Sequence, residues 1–224
     1  ADIKEYYEKH VDLATKPTPF DVSVLEKEYK SQGLLKRKIV AFFKAKKDLN
    51  LVFKILKYPF RALSSNLRKE YEQFEEHLDF SKPFLYVPLH WQPECTTSPL
   101  GDMFVDQILM LETISAALPK DWVVYVKEHP FQWSVDGVTK FSNMRYRDYY
   151  RNISRIKNVK LIPVKTDTYS LIAACRAVVT VTGRAALEGV LRDKPAIIFG
   201  YPWYLDLPGI FLVQDVDTAR FALT

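Results

Sequence analysis

The chain has 224 residues, 48% of them hydrophobic, and a formal net charge of +5; that length buries one substantial core plus a small appendage, not two full domains. Its longest apolar runs, such as 177–181 and 195–199, are strand-sized and far short of the roughly 20 residues that cross a bilayer. Cys95 and Cys175 show neither metal-ligand spacing nor a disulfide framework, and the polar start at Ala1 lacks the layout of a secretion signal, so a cytoplasmic protein is expected.

From Asp2 to about Leu78 the pattern is helical, punctuated by Pro17, Pro19, Gly33 and Pro59. Between Lys36 and Arg61 nine Lys or Arg residues face the single acid Asp48, interleaved with Ile39, Phe42, Phe43, Val52 and Ile55, as in amphipathic helices with basic outer faces. Two readings stay open for this stretch: a solvated surface, or peripheral attachment to an anionic membrane at its inner face. Nucleic acid is not favoured, because no recognition module accompanies the charge. The organisation expected is a basic helical lead-in over residues 1–80, ending in a helix at 64–78, and a second domain over 81–224.

Past Ser81-Lys82-Pro83 the character changes to strands alternating with helices. Strands are predicted at 84–89, 122–126, 159–162, 177–181, 196–199 and 210–213, and helices at 102–117, 145–156, 168–174 and 185–191. Such βαβ units require helical crossovers and close into a parallel sheet. The fold class is therefore α/β, a Rossmann-like doubly wound parallel sheet preceded by a helical region. The sequence stops about ten residues after its last predicted strand, and it reads as a fragment.

In open sheets of this class ligands bind beyond the carboxyl ends of the strands, where the strand order reverses. Three loops meet that description: His90 to Thr97, Lys127-Glu128-His129-Pro130, and Thr182-Gly183-Arg184, with Glu188 one turn into the following helix. Gly183 before a helix leaves backbone N–H groups to face a phosphate; the competing reading is an ordinary helix cap. The third loop lacks a Walker lysine and is not a G-x-G-x-x-G, which disfavours an ATPase or a dinucleotide enzyme. His129, held by the following proline, suits a hydrogen-bond donor to a phosphate or an acid toward a leaving group, or is structural. His90 carries the same ambiguity. Gln92 and Glu94 stand in a loop rich in hydrogen-bonding side chains, and Glu188 offers a carboxylate to a sugar hydroxyl or sits in solvent. Trp91, Trp133 and Trp203 are either anchors or stacking surfaces.

At these loops the sequence resembles the bacterial capsular polysaccharide biosynthesis proteins, a group that includes β-Kdo transferases. The matching pieces are the Pro88-Leu89-His90-Trp91-Gln92-Pro93-Glu94 loop, Lys127-Glu128-His129-Pro130, and the run from Val181 through Glu188 to Pro195, with Phe199-Gly200 after the fifth strand. The resemblance implies the C-terminal half of a glycosyltransferase B-type fold, in which two Rossmann-like domains face a cleft and the second holds the activated sugar. It implies phosphate contacts from His129 and Thr182 and a role for Glu188 in donor binding. Where relatives often carry small residues this chain has Gly183-Arg184, so that Arg184 adds a cation or crowds the site.

The site expected on this basis has His129 and Glu94 as catalytic groups, and His90, Gln92, Lys127, Thr182, Gly183, Arg184 and Glu188 as donor-binding groups. The donor is a nucleotide sugar, with CMP-Kdo ahead of UDP or GDP sugars, and the acceptor is a glycan or glycolipid. The resemblance implies no metal or other cofactor. The acceptor domain would precede Ala1, leaving this chain alone to bind donor weakly and turn over slowly. The competing functions are a nucleotide-sugar epimerase of the same fold and a non-catalytic scaffold of a polysaccharide assembly complex.

Overall fold

The computed structural model describes residues 67–92, 97–133 and 144–224. The chain divides into Ala1–Ser64 and Ser65–Thr224, and the description concerns the second unit. The basic stretch from Lys36 to Arg61, together with Glu94 and Cys95, lies outside the described residues.

Six strands form one parallel sheet: β1 (Phe84–Pro88), β2 (Val123–Lys127), β3 (Val159–Leu161), β4 (Ala177–Thr180), β5 (Ala196–Ile198) and β6 (Ile210–Leu212), in the spatial order β3-β2-β1-β4-β5-β6. β1 pairs with β2 over its whole length, Phe84 opposite Val123 through Pro88 opposite Lys127, and with β4 at Leu85–Ala177 and Tyr86–Val178. The order therefore reverses between β1 and β4, a doubly wound Rossmann-like arrangement in which the crevice beyond their carboxyl ends is the expected ligand position.

Helices cover both faces, which is why the strands read as unbroken apolar runs. One layer holds α1 (Leu67–Gln73), α2 (Gln107–Ala117), α3 (Tyr149–Ser154) and α6 (Val216–Ala222); their buried residues pack with Leu85, Val87, Val124, Val126, Val179 and Ile197. On the other face α4 (Thr168–Ala174) and α5 (Arg184–Val190) pack with Phe84, Tyr86, Tyr125, Val178, Ala196 and Ile198. The two-residue period of each strand divides these sets, and each Val, Leu or Ile removed from water contributes about 1.5–3 kcal/mol.

Three of the predicted elements differ from the expectation, and one element is additional. The predicted 102–117 helix is a 3-10 turn, Asp102–Val105, followed by α2; the two are separated at Asp106, which is extended and whose carboxylate caps Ile108 N–H at 3.0 Å. The predicted 145–156 helix begins only at Tyr149, because Asp148 adopts a left-handed φ of 70° and Arg145 is drawn into the interior. α1 ends at Gln73, beyond which Glu75 bridges to Leu161 and Glu76 N–H donates to the Leu161 carbonyl at 2.7 Å, so the chain extends along β3. The last helix, α6, was not anticipated; Asp215 and Thr218 close a capping box at its start.

Candidate functional site at the strand-order reversal

The β1 ladder runs one residue past the strand, with Leu89 N–H donating to the Lys127 carbonyl at 2.9 Å. That extension delivers His90 to the crevice. Its Nε2 accepts Thr182 N–H at 3.3 Å and lies 2.9 Å from Thr180 Oγ1. An imidazole nitrogen that accepts an N–H bond carries no proton, so the neutral ring is assigned as the Nδ1–H tautomer. The Thr180 hydroxyl then donates to Nε2 and accepts Gly183 N–H at 3.2 Å.

Gly183 is required here by space, not by backbone angle. A Cβ on it would stand 2.7 Å from Thr180 Oγ1 and 3.2 Å from His90 Cε1. The Tyr204 hydroxyl donates to the Gly183 carbonyl. The N–H groups of Thr182 and Gly183, expected to face an anion, are thus engaged by His90 and Thr180. A buried turn must satisfy its donors, and here the protein does so itself.

Lys127 leaves β2 toward the α4 face, where its ammonium donates to the Thr166 carbonyl at 3.0 Å and to Thr168 Oγ1 at 2.6 Å. His129, two residues on, is half-buried and its Nδ1 accepts Phe131 N–H at 3.2 Å, which leaves the proton of the neutral ring on Nε2. Arg184 is exposed at the start of α5. Glu188, half-buried one turn later, has its pKa raised by burial, an effect opposed by Arg192 and Arg184. Trp133 is an anchor, with its indole N–H donating to Tyr150 and its ring packed edge-on against Tyr71, whereas Trp203 is 77% exposed.

Gln92 is buried and has both amide ends committed. Its Nε2 donates to the Val105 carbonyl at 3.0 Å, and its Oε1 accepts from Gln107 and Arg145, both at 2.7 Å. The partner that sequence reasoning missed is Arg145. Its guanidinium forks onto Glu128, Nε to Oε2 at 2.8 Å and Nη2 to Oε1 at 3.1 Å, with both side chains wholly buried. Burial alone would lower the Arg145 pKa; attraction to Glu128, with smaller help from Tyr149, outweighs that and leaves it raised. A signal for Glu128 was present, since strand parity places it with Val124 and Val126, facing the interior, where a carboxylate needs a partner. Nothing in the sequence pointed to Arg145 as that partner.

The loops at 90 and 182–183 are therefore in direct contact, and the loop at 128–129 is joined to the first through Arg145. Among the described residues no group of three His, Cys, Asp or Glu side chains is placed to hold a metal ion, and no helix is long and apolar enough to cross a membrane.

The family model for capsule polysaccharide biosynthesis proteins matches residues 98–221, more than half of the chain. The chain belongs to the capsule polysaccharide biosynthesis protein family. The matched span of this capsule-family protein includes the Lys127–Pro130 and Val181–Pro195 segments, while the Pro88–Glu94 loop precedes it. No curated protein sequence matches significantly. Among solved structures, the fold is similar to the β-Kdo 2,7 transferase KpsC of Thermosulfurimonas dismutans, with a TM-score of 0.46 and 14% identity over 71% of this chain and 53% of that one. The β-Kdo 2,4 transferase KpsC of the same organism gives 0.42 and 16%, over 65% and 45%. UDP-GlcNAc 2-epimerase of Methanocaldococcus jannaschii gives 0.43 and 14%, over 70% and 41%. The chain spans about half the length of these structures.

Proposed function

We propose that this capsule-family chain is the donor-binding domain of a glycosyltransferase that uses a nucleotide-activated sugar, CMP-Kdo first among the candidates, to build a capsular or surface polysaccharide. The observation that carries this reading is the contact of His90 with Thr180 and Thr182 across the β1/β4 reversal, which gathers two candidate loops where doubly wound sheets take their ligands. Family membership supplies the polysaccharide context.

In this reading His129 meets the donor phosphate and protonates the leaving group, with Glu94 as the second catalytic carboxylate. Arg184 and the start of α5 offset the charge that develops on the leaving phosphate, without a metal. Glu188 accepts from a hydroxyl of the ribose or sugar. His90, Thr182 and Gly183 contribute the shape of the pocket wall, and Gln92 holds the loop behind it. The acceptor is a glycan or glycolipid, and the Lys36–Arg61 stretch attaches the protein to an anionic membrane surface.

Thermal unfolding with millimolar CMP, UDP or GDP tests the binding step. A ligand at about 100 times its dissociation constant adds about 2.7 kcal/mol to stability, so one of the three should raise the melting temperature by several degrees. No shift with any of them would favour the scaffold reading. Acceptor-dependent release of the nucleotide separates a transferase from an epimerase.

A further inference from the structure

Behind the crevice, three side chains and the backbone of His90 close a ring of hydrogen bonds around the β1 loop. Arg145 Nη2 donates to the His90 carbonyl at 2.8 Å and Nη1 to Gln92 Oε1 at 2.7 Å. The same Gln92 oxygen accepts from Gln107 Nε2 at 2.7 Å, and Gln107 Oε1 returns to His90 by accepting its N–H at 2.7 Å. Both backbone polar groups of His90 are therefore held in this ring, which fixes the direction in which its imidazole leaves the chain.

Glu128 couples the ring to the β2 loop. While paired with Arg145 it accepts the Tyr150 hydroxyl at 2.6 Å and His129 N–H at 2.7 Å. A second link runs through Gln132, whose Oε1 accepts Gln92 N–H at 3.0 Å and whose Nε2 donates to the Gln92 carbonyl at 2.9 Å. The result is one guanidinium spanning the loops that carry His90 and His129.

Stability alone is a weak reason for this arrangement, because buried ion pairs are often matched by apolar residues of similar volume. An apolar pair would fill the space but would not hold the His90 carbonyl, Gln92 Oε1 and the Glu128 carboxylate at once. The planar fork of arginine does so, and a lysine ammonium lacks that geometry.

We infer that Arg145 is a positioning residue for the proposed nucleotide site: together with Glu128 it sets His90 against the Thr180–Gly183 turn and fixes the spacing of the His90 and His129 loops. The ligand in this inference rests on the function proposed above; the positioning of His90 does not.

The test uses Arg145→Lys, which keeps the charge and loses the fork, and the double variant Glu128→Gln/Arg145→Met, which removes both charges and so avoids stranding a buried carboxylate. If either fails to fold cooperatively, the other carries the measurement, and Tyr150→Phe, which removes one bond to Glu128, gives a milder third. Nitrogen-15 spectra of the histidines report whether His90 Nε2 still accepts a hydrogen bond, and amide exchange reports on Thr182 and Gly183. Titration with CMP, UDP and GDP reports on the site.

In a folded variant at Arg145 we expect the His90 Nε2 signature to be lost, exchange at Thr182 and Gly183 to quicken at least tenfold, and nucleotide affinity to fall at least tenfold, with smaller changes in the same direction for Tyr150→Phe. Folded variants with an unchanged His90 signature, exchange and affinity would overturn the inference and leave the pair as packing. If the unaltered chain binds none of the nucleotides while the variants lose the His90 signature, the proposed function fails and the positioning role stands.

Discussion

Thr180 is the residue on which the crevice turns, because its single hydroxyl serves both His90 Nε2 and Gly183 N–H. Thr180→Val keeps the shape and removes both bonds, leaving a part-buried N–H without its acceptor, a loss of about 1–3 kcal/mol. Urea unfolding should show a lowered midpoint for Thr180→Val and near-recovery for Thr180→Ser; equal midpoints for all three would contradict the hydrogen-bond assignment. Glu188 has a testable pH signature. Its pKa in the folded chain is raised above the ordinary 4.5 by burial, so the folded state binds that proton more tightly than the unfolded state. Its contribution to stability is present below the unfolded value and is lost as pH rises through the raised one. Glu188→Gln, which stays uncharged, should gain stability relative to the original chain as pH rises from about 4 toward 7, as followed by melting temperature.

At the scale of elements, α5 sits close on β4. A Cβ on Gly189 would come within 2.9 Å of Val178 Cγ2. Gly189→Ala gains about 1 kcal/mol of helix propensity and meets an overpacking cost of about 1–3 kcal/mol, so a net loss is expected in urea unfolding. Asp215 caps α6, and its hydrogen bonds with Thr218 hold its carboxyl below the usual range; Asp215→Ala should fray that helix, seen as faster amide exchange at Thr218 and Ala219. Strands were the most legible elements, since 84–88, 123–126 and 177–179 are apolar runs buried on both sides and bounded by polar residues. Helix starts were less so. α3 begins late because Arg145 answers a carboxylate seventeen positions away in the chain, and a contact of that kind leaves no local periodicity. α6 has a local signal in its Asp215–Thr218 capping pair, but its seven residues are too few to show a helical period.

For the whole molecule, the alternation of strands and helices made the doubly wound sheet and its β1/β4 reversal predictable, and with them the meeting of the loops at 90 and 182–183. What stayed hidden was which side chains at that meeting face outward. Lys127 turns toward α4, Gln92 turns inward, and His90 satisfies the turn that was expected to greet a phosphate. Each such outcome depends on partners far away in sequence. The proposed site also makes a spatial claim, because a surface groove lined by Lys82, Trp122, Lys157 and Asn158 lies at the opposite, amino ends of β2 and β3. Amide chemical-shift mapping during titration with CMP, UDP and GDP decides between the two ends of the sheet. Donor binding at the β1/β4 reversal puts the largest changes at 89–92, 128–131 and 182–188; changes centred on the groove at Lys82 and Asn158, or none with any nucleotide, would contradict it.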